Sequence, residues 1–365
     1  MRSADHIQHE LFCTISLEAL VPADHPLRAI RRLADRALER MEPAFAKLYS
    51  TTGRPGVPPE QLLRALLLEV LYGYRSERRL VEELGYNFAL RWFVGLGVSQ
   101  SPWDVTVFTK NRERFLNADL AQHWLQAVVL EAHQAKLLDE DHFSVDGTLI
   151  QAWASERSYR PKANPPARGS GRHGKLLKRD VMESSTDPEA RMYRKSAHDS
   201  FRLSYQGHVA MEHAHGLIVA STLTPCSTRA EREAAASLLH RIRGWRAAVR
   251  NRTHASSWQP TVTADTAYHE QDFVERAREL GFEPHLPAWQ RRPRPDLIGD
   301  QVRSSDLYRQ NRQRRKWVER CFGWLKQAAG QRQTHFRGVR RVAWGFDFAV
   351  GVYNLVRLTK LLAQN

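Results

Sequence analysis

Between residues 138 and 142 the apolar pattern of the chain changes its period, and that change constrains the fold more than any other feature. Upstream, Leu62, Leu63, Leu66, Leu67, Val70 and Leu71 recur at helical spacing and fill one broad stripe. Downstream, Phe143, Val145 and Leu149 alternate with Ser144, Asp146 and Thr148, the pattern of a strand with one face on a core. Separate blocks of the two patterns imply an all-helical unit followed by a mixed α/β unit. The expected boundaries are 1–138 and 139–365.

In the helical block, residues 25–30 lead into a helix after Pro26, residues 51–56 carry a turn signal, and Pro58-Pro59-Glu60 opens the next helix. Ser76 caps a short helix ending near Leu84, Gly85 makes a turn, and another helix starts at Asn87. Helix, glycine turn and helix are compatible with a helix-turn-helix that reads DNA, and equally with an ordinary helical hairpin. Arg75, Arg78, Arg79 and Arg91 supply positive charge there. Two further helices are expected from 103 and over 119–136.

In the second block, Asp146 lies mid-strand on the face opposite Phe143 and Val145, where carboxylates are depleted. Residues 153–204 are polar and basic with Pro161, Pro165 and Pro166, and are expected to form a flexible loop ordered by DNA or a partner. Strands follow at 205–213 and 217–223, joined by a turn at His215-Gly216, then a helix over 231–249. The strand at 260–265 ends on Asp265, at the carboxyl end where open α/β sheets collect ligands. A helix at 271–280, a short strand at 282–286, a Pro/Arg-rich connection at 287–312 and an apolar segment at 342–362 complete the chain. This order gives a mixed five-stranded sheet and agrees with a ribonuclease H-like fold.

Residues 312–328 read as one amphipathic helix. At 100° per residue, Arg312, Arg315, Glu319 and Lys326 fall within an arc of about 60°. Trp317, Val318, Cys321, Trp324, Leu325 and Ala328 fill the opposite side, the two tryptophans as core anchors. Taken alone, the polar arc is a solvated face with Arg–Glu pairs. Asp146, Asp265 and Glu319 together are what a pair of Mg²⁺ ions needs, because hard cations take carboxylate oxygens that would otherwise repel one another. Glu270, Asp272 and Asp306 read as helix caps or surface charges. His213 and His215 lack further ligands at zinc spacing.

The net charge of +15 and pI near 10.1 point to a polyanionic partner, nucleic acid before membrane. Residues 291–341 hold 15 Lys and Arg against 4 Asp and Glu, so most of the excess surrounds Glu319. Residues 1–12 lack the apolar core of a signal peptide, and the apolar stretch 342–356 is interrupted by Asp347 and Asn354. Cys13, Cys226 and Cys321 are isolated, which argues against a disulfide framework. A cytoplasmic, nucleoid-associated protein without a membrane anchor is expected.

Motifs at 25–30, 53–84 and 103–115 in the helical block, and at 143–155, 185–195, 205–219, 263–273, 318–327 and 353–362 beyond it, are similar to one family. The chain resembles the DDE-type transposases of bacterial insertion sequences, in the group around insertion sequence five. That group has a signature of Tyr, two residues, Arg, three residues, Glu, six residues, Lys. Arg315, Glu319 and Lys326 match it, while Arg312 stands at the Tyr position. The resemblance implies that Asp146, Asp265 and Glu319 are the catalytic residues and the ligands of two Mg²⁺ ions, with Mn²⁺ able to substitute. It implies DNA contacts by Arg312, Arg315, Arg320 and Lys326, with Arg78 and Arg79 in the helical domain that would read terminal inverted repeats. Cleavage would expose a 3′-OH that then joins target DNA, in a homodimer or larger assembly on double-stranded DNA. The alternatives are a structure-selective nuclease on the same scaffold and a catalytically silent repressor derived from a transposase.

Overall fold

The computed structural model describes residues 16–48, 56–163, 181–195, 198–249, 259–289 and 295–364. Residues 1–12, Cys13 and most of the turn expected at 51–56 lie outside these. The first part is helical: α1 (Leu17–Leu20), α2 (Pro26–Arg40), α3 (Glu42–Ala46), α4 (Pro59–Tyr72), α5 (Glu77–Tyr86), α6 (Phe88–Val94), α7 (Thr106–Asn117) and α8 (Leu120–Gln134). Pro26 and Pro59 open their helices, where a missing N–H leaves no bond unmade. Gly85 does not make the expected turn; it lies inside α5, which runs to Tyr86. Asn87 alone separates α5 from α6, because its Oδ1 accepts the Leu90 N–H at 3.2 Å and caps the new helix.

The strands are β1 (His142–Gln151), β2 (Tyr159–Pro161), β3 (Met182–Ser184), β4 (Arg191–Tyr193), β5 (Arg202–Glu212), β6 (Ile218–Pro225), β7 (Thr261–Thr263) and β8 (Glu283–His285). The helices of this part are α9 (Ala230–Val249), α10 (Gln271–Glu279), α11 (Asp300–Ser304), α12 (Asp306–Arg314), α13 (Lys316–Gln327) and α14 (Val339–Leu362). The main sheet is ordered β4-β5-β1-β7-β8, with β6 also on β5. β1, β5 and β6 form an antiparallel meander, and β7 and β8 add parallel to β1. The five expected strands are joined by a sixth, β4, which pairs with residues 202–204 at the start of β5. The β5–β6 turn closes on the Glu212 carboxylate, which accepts the N–H groups of Ala214, His215 and Leu217 at 2.7–3.0 Å. Gly216 adopts φ +70 there, and a Cβ on it would lie 3.1 Å from Trp317.

Helices cover both faces of the sheet. Phe143, Val145 and Ala210 pack with Leu238, Leu239 and Ile242 of α9 and Phe273 of α10. On the other face Ile150, Tyr205 and Val209 pack with Val318, Cys321 and Leu325 of α13 and Phe346 and Val350 of α14. The outer side of α14 contributes Trp344, Phe348, Val352 and Leu355 to the core of the helical domain. The C-terminal apolar segment is therefore buried on two sides. Its Asn354 meets the β6 backbone twice, accepting from Ile218 N at 2.8 Å and donating to Ile218 O at 2.7 Å. No helix among the described residues is long and apolar enough to cross a membrane.

Three further expectations need correction. The described parts of 153–204 are not a structureless loop: β2 and β3 pair antiparallel, Ser158 and Ser184 bond at 2.7 Å, and Tyr205 donates to Asp187 at 2.6 Å. The polar composition that suggests a loop serves these internal bonds; residues 164–180 and 196–197 lie outside the described residues. The connection 287–312 contains α11 and most of α12, with 290–294 outside the described residues. Residues 312–328 are not one helix, because α12 ends at Arg314 and α13 starts at Lys316. The break answers two anchors: Asn311 is fixed to Thr261 and His285, whereas Val318 and Cys321 belong under β1 and β5.

Candidate active site

Two neighbouring parallel strands bring the first two acids to the same end of the sheet. β1 and β7 pair His142 with Thr261, Phe143 with Val262 and Ser144 with Thr263. The same register, carried two residues on, leads to Asp146 on one strand and Asp265 past the end of the other. Asp146 Oδ1 accepts the Gly147 N–H at 2.8 Å, and its Oδ2 accepts from Arg315 Nη1 at 3.0 Å. Burial raises the Asp146 carboxyl above its ordinary value and nearby Asp265 adds to this, while Arg315 and the Gly147 amide oppose it. Asp265 caps a short turn, its Oδ1 accepting the Ala267 N–H at 2.8 Å.

Arg315 is the single residue between α12 and α13, and this places its guanidinium on Asp146. Glu319, one turn further on, stays on the solvent side, 66% exposed, with Oε1 4.0 Å from Arg315 Nη2. Arg312 turns inward, donating to Ala264 O at 3.1 Å beside Asp265. Lys326 is half-buried; burial lowers its pKa, with Lys195 and Arg332 adding to the effect. Arg320 is exposed. The geometry thus gathers Asp146, Asp265, Arg312 and Arg315, and leaves Glu319 at the rim.

A buried polar network holds α12 against the sheet. His213 bonds Ser144 Oγ at 2.6 Å and Asn311 Oδ1 at 2.9 Å, and Asn311 Nδ2 reaches Thr261 Oγ1 at 2.8 Å. Burial pushes the His213 pKa down to about 4, so the ring stays neutral. The network fixes Asn311, whose backbone carbonyl accepts the Arg315 N–H at 3.0 Å.

Sequence reading gives Glu231 and Lys195 no role, yet the fold brings both near enough to the acids to act on them electrostatically. Glu231, in the first turn of α9, accepts from Gln206 Nε2 at 2.7 Å. A Cβ built on Gly147 would sit 3.2 Å from Glu231 Oε1 and 3.2 Å from His208 Nδ1, so a side chain there would crowd both groups. Burial raises the Glu231 carboxyl, and Asp265 and Asp146 raise it further, whereas Lys195 acts on it in the opposite sense. A glycine inside a strand, next to an acid, signals close approach and could have pointed to this neighbour.

Among the described residues no three His, Cys, Asp or Glu side chains stand close enough, as they lie, to hold a metal ion. The donor set still suits hard cations. Asp146, Asp265 and Glu231 are near enough to act on one another as like charges, Gly147 leaves open the space a Cβ would take, and His208 Nδ1 is buried with no hydrogen-bond partner.

In the helical domain Arg75 and Arg78 are exposed. Arg79 pairs with Glu82 at 3.0 Å and Glu83 at 2.6 Å on its own helix. Arg91 is buried and donates to Leu84 O at 2.7 Å and Val98 O at 3.1 Å, and also to the carbonyls of Gly97 and Gln100. Its charge clasps the fold and does not face solvent. Asp272 and Asp306 are surface charges, 70% and 83% exposed, as expected.

Residues 138–355 match the family model described as Transposase DDE domain, and residues 15–114 match the one described as Transposase domain (DUF772). Among solved structures, the chain is similar to the piggyBac transposase synaptic complex with hairpin DNA at 8% identity and a TM-score of 0.38, covering 93% of this chain and 76% of that one. It is also similar to the Mos1 mariner paired end complex with Mn at 13% identity and a TM-score of 0.22, covering 89% and 84%. No curated protein sequence matches significantly.

Proposed function

The chain belongs to the DDE transposase family, DNA-cleaving and strand-transferring enzymes that generally use divalent metals, and on that premise we propose how its parts divide the work. Asp146, Asp265 and Glu319 are the catalytic carboxylates. The observation that supports this is the register of β1 and β7, which leads to Asp146 and Asp265 side by side, with Arg315 on Asp146 from the start of the helix that bears Glu319. Held by these carboxylates, a pair of Mg²⁺ ions, replaceable by Mn²⁺, supplies Lewis-acid stabilisation of charge on the attacking and leaving oxygens of the displacement.

Water first attacks the phosphodiester at the element's end; one P–O bond forms, the bond to the 3′ oxygen breaks, and a 3′-OH is released. That 3′-OH then attacks a phosphodiester of target DNA in line; the new P–O bond forms as the target's own bond to its 3′ oxygen breaks, and the hydroxyl proton ends on that released 3′ oxygen. No covalent enzyme intermediate is needed. Arg315 exchanges its Asp146 contact for a phosphate, and Lys326 adds a point charge on the same helix. Glu319 moves in from the rim as Arg315 leaves. Arg312 and Arg320 contact the flanking backbone, giving affinity without sequence information.

Residues 1–138 recognise the terminal inverted repeats, with Arg78 and Arg79 at the DNA, and residues 139–365 carry out catalysis. Two ends must be held at once, so the working unit on DNA is a homodimer or larger, acting on chromosomal DNA in the cytoplasm. Cleavage of a labelled duplex carrying the element's end, by wild type and Glu319→Gln with Mg²⁺, tests the assignment. Loss of cutting by at least about 100-fold with unchanged DNA affinity is expected for a lost ligand. Equal cutting by both proteins would remove Glu319 from the site.

A further inference from the structure

We propose that Glu231 is a further carboxylate ligand of the divalent-cation site, reaching over Gly147 from the α9 side of the sheet toward Asp146 and Asp265, a role that rests on the assignment of those two acids as ligands. Asp146 and Gly147 point to opposite faces of β1, as neighbours in a strand must. A carboxylate from the α9 face can approach the Asp146 end only where that strand carries no side chain. Gly147 meets this condition, with its Cβ position 3.2 Å from Glu231 Oε1. Gln206, only 2% exposed, anchors that oxygen at 2.7 Å and fixes the direction of the carboxylate.

The Lys195 charge offsets the like charges around Glu231 only in part, since the Glu231 carboxyl is raised on balance. Its hydrogen-bond donor is a neutral amide, and among the described residues it makes no ion pair. Asp146 and Asp265 both act on it as like charges, and Arg315 is bonded to Asp146. Carboxylates gathered this way repel one another until a divalent cation takes their oxygens. An independent feature points the same way. His208, 1% exposed and paired with Gly147 across the β1–β5 ladder, keeps Nε2 on Thr224 at 2.9 Å while Nδ1 has no partner. That nitrogen lies 3.2 Å from the same Gly147 Cβ position, so an unpartnered ring nitrogen and an anchored carboxylate flank one small space.

The test is Mn²⁺ binding to the full chain without DNA, read from the free-ion paramagnetic resonance signal and from the Mn²⁺-induced rise in melting temperature. Wild type, Glu231→Gln, Glu231→Asp and Asp146→Asn are compared. Glu231→Gln is expected to weaken Mn²⁺ binding by at least about tenfold, with Glu231→Asp between it and wild type. In chelator, Glu231→Gln should melt no lower than wild type, because the amide removes a like charge without removing volume; a merely structural glutamate would show the reverse. Mn²⁺ affinity unchanged in Glu231→Gln but lost in Asp146→Asn would overturn the role of Glu231 and keep the site. Affinity unchanged in both variants would overturn the site assignment and the Glu231 role together.

Discussion

Arg91 carries a positive charge that does not reach solvent. Its guanidinium bonds backbone carbonyls on both sides of α6, at Leu84 and Val98 among others, so removal leaves buried acceptors unpaired. Arg91→Met, which keeps most of the volume, is expected to destabilise the protein by about 1–3 kcal/mol in thermal or urea unfolding. An unchanged melting temperature would refute the clasp. Sequence groups Arg91 with Arg75, Arg78 and Arg79 because all four are basic and close; burial separates it, and no local pattern records that burial. Glu231 is hidden for a related reason. It looks like an ordinary acid in a first helical turn, and only the pairing of β1 with β5 shows that Gly147 opens a path for it. Asp146 was legible because a carboxylate mid-strand contradicts strand propensity and so demands a use.

The elements that were legible are those whose side chains alternate or recur within one segment. β1, β5, β6 and α9 follow their apolar periods. The break at Arg315 was not legible, since α12 and α13 keep one helical period across it and are separated by what each packs against. The ribbon of β2 and β3 was also missed, because its bonds join residues far apart in the chain. The helix α14 makes a pH-dependent prediction. Burial pushes the Asp347 carboxyl from its ordinary 3.8 up to about 7, against Ser221 Oγ at 2.5 Å, Gln122 and the Arg241 charge, with Asp119 adding to the rise. Between those values the folded state keeps a proton that the unfolded chain has lost, so stability from this group falls as pH rises from 4 to 7. Buried His213 and His285, each held down at about 4, act oppositely, favouring the fold more as pH rises toward 6.5. Comparison with Asp347→Asn isolates the acid. The variant lacks this falling contribution, so its unfolding free energy at pH 8 minus that at pH 5 should lie above the wild-type value by about 2–3 kcal/mol, at about 1.4 kcal/mol per unit. An identical pH dependence in both proteins would place Asp347 at its ordinary pKa.

For the molecule as a whole, a net charge of +15 concentrated around α12 and α13 makes DNA affinity strongly dependent on salt. A plot of log affinity against log salt should be linear with a steep negative slope. Lys326→Ala should reduce that slope by about one and weaken all sequences alike, since a phosphate contact carries no sequence information. A variant that changed sequence preference and left the slope intact would move Lys326 from the backbone to a base. The helical domain and the sheet share α14 in their cores, so DNA held by the one, as proposed, would be rigidly related to the acids on the other. Strand cleavage at the boundary of the element's own end, in Mg²⁺ and again in Mn²⁺, by wild type, Asp146→Asn and Asp265→Asn, reads the catalytic assignment directly. Wild type should cut at the boundary in both metals, while each variant binds the same duplex and cuts at least about 100-fold more slowly. Boundary cutting by either variant at the wild-type rate, with the metal still required, would contradict the assignment of that acid to the site.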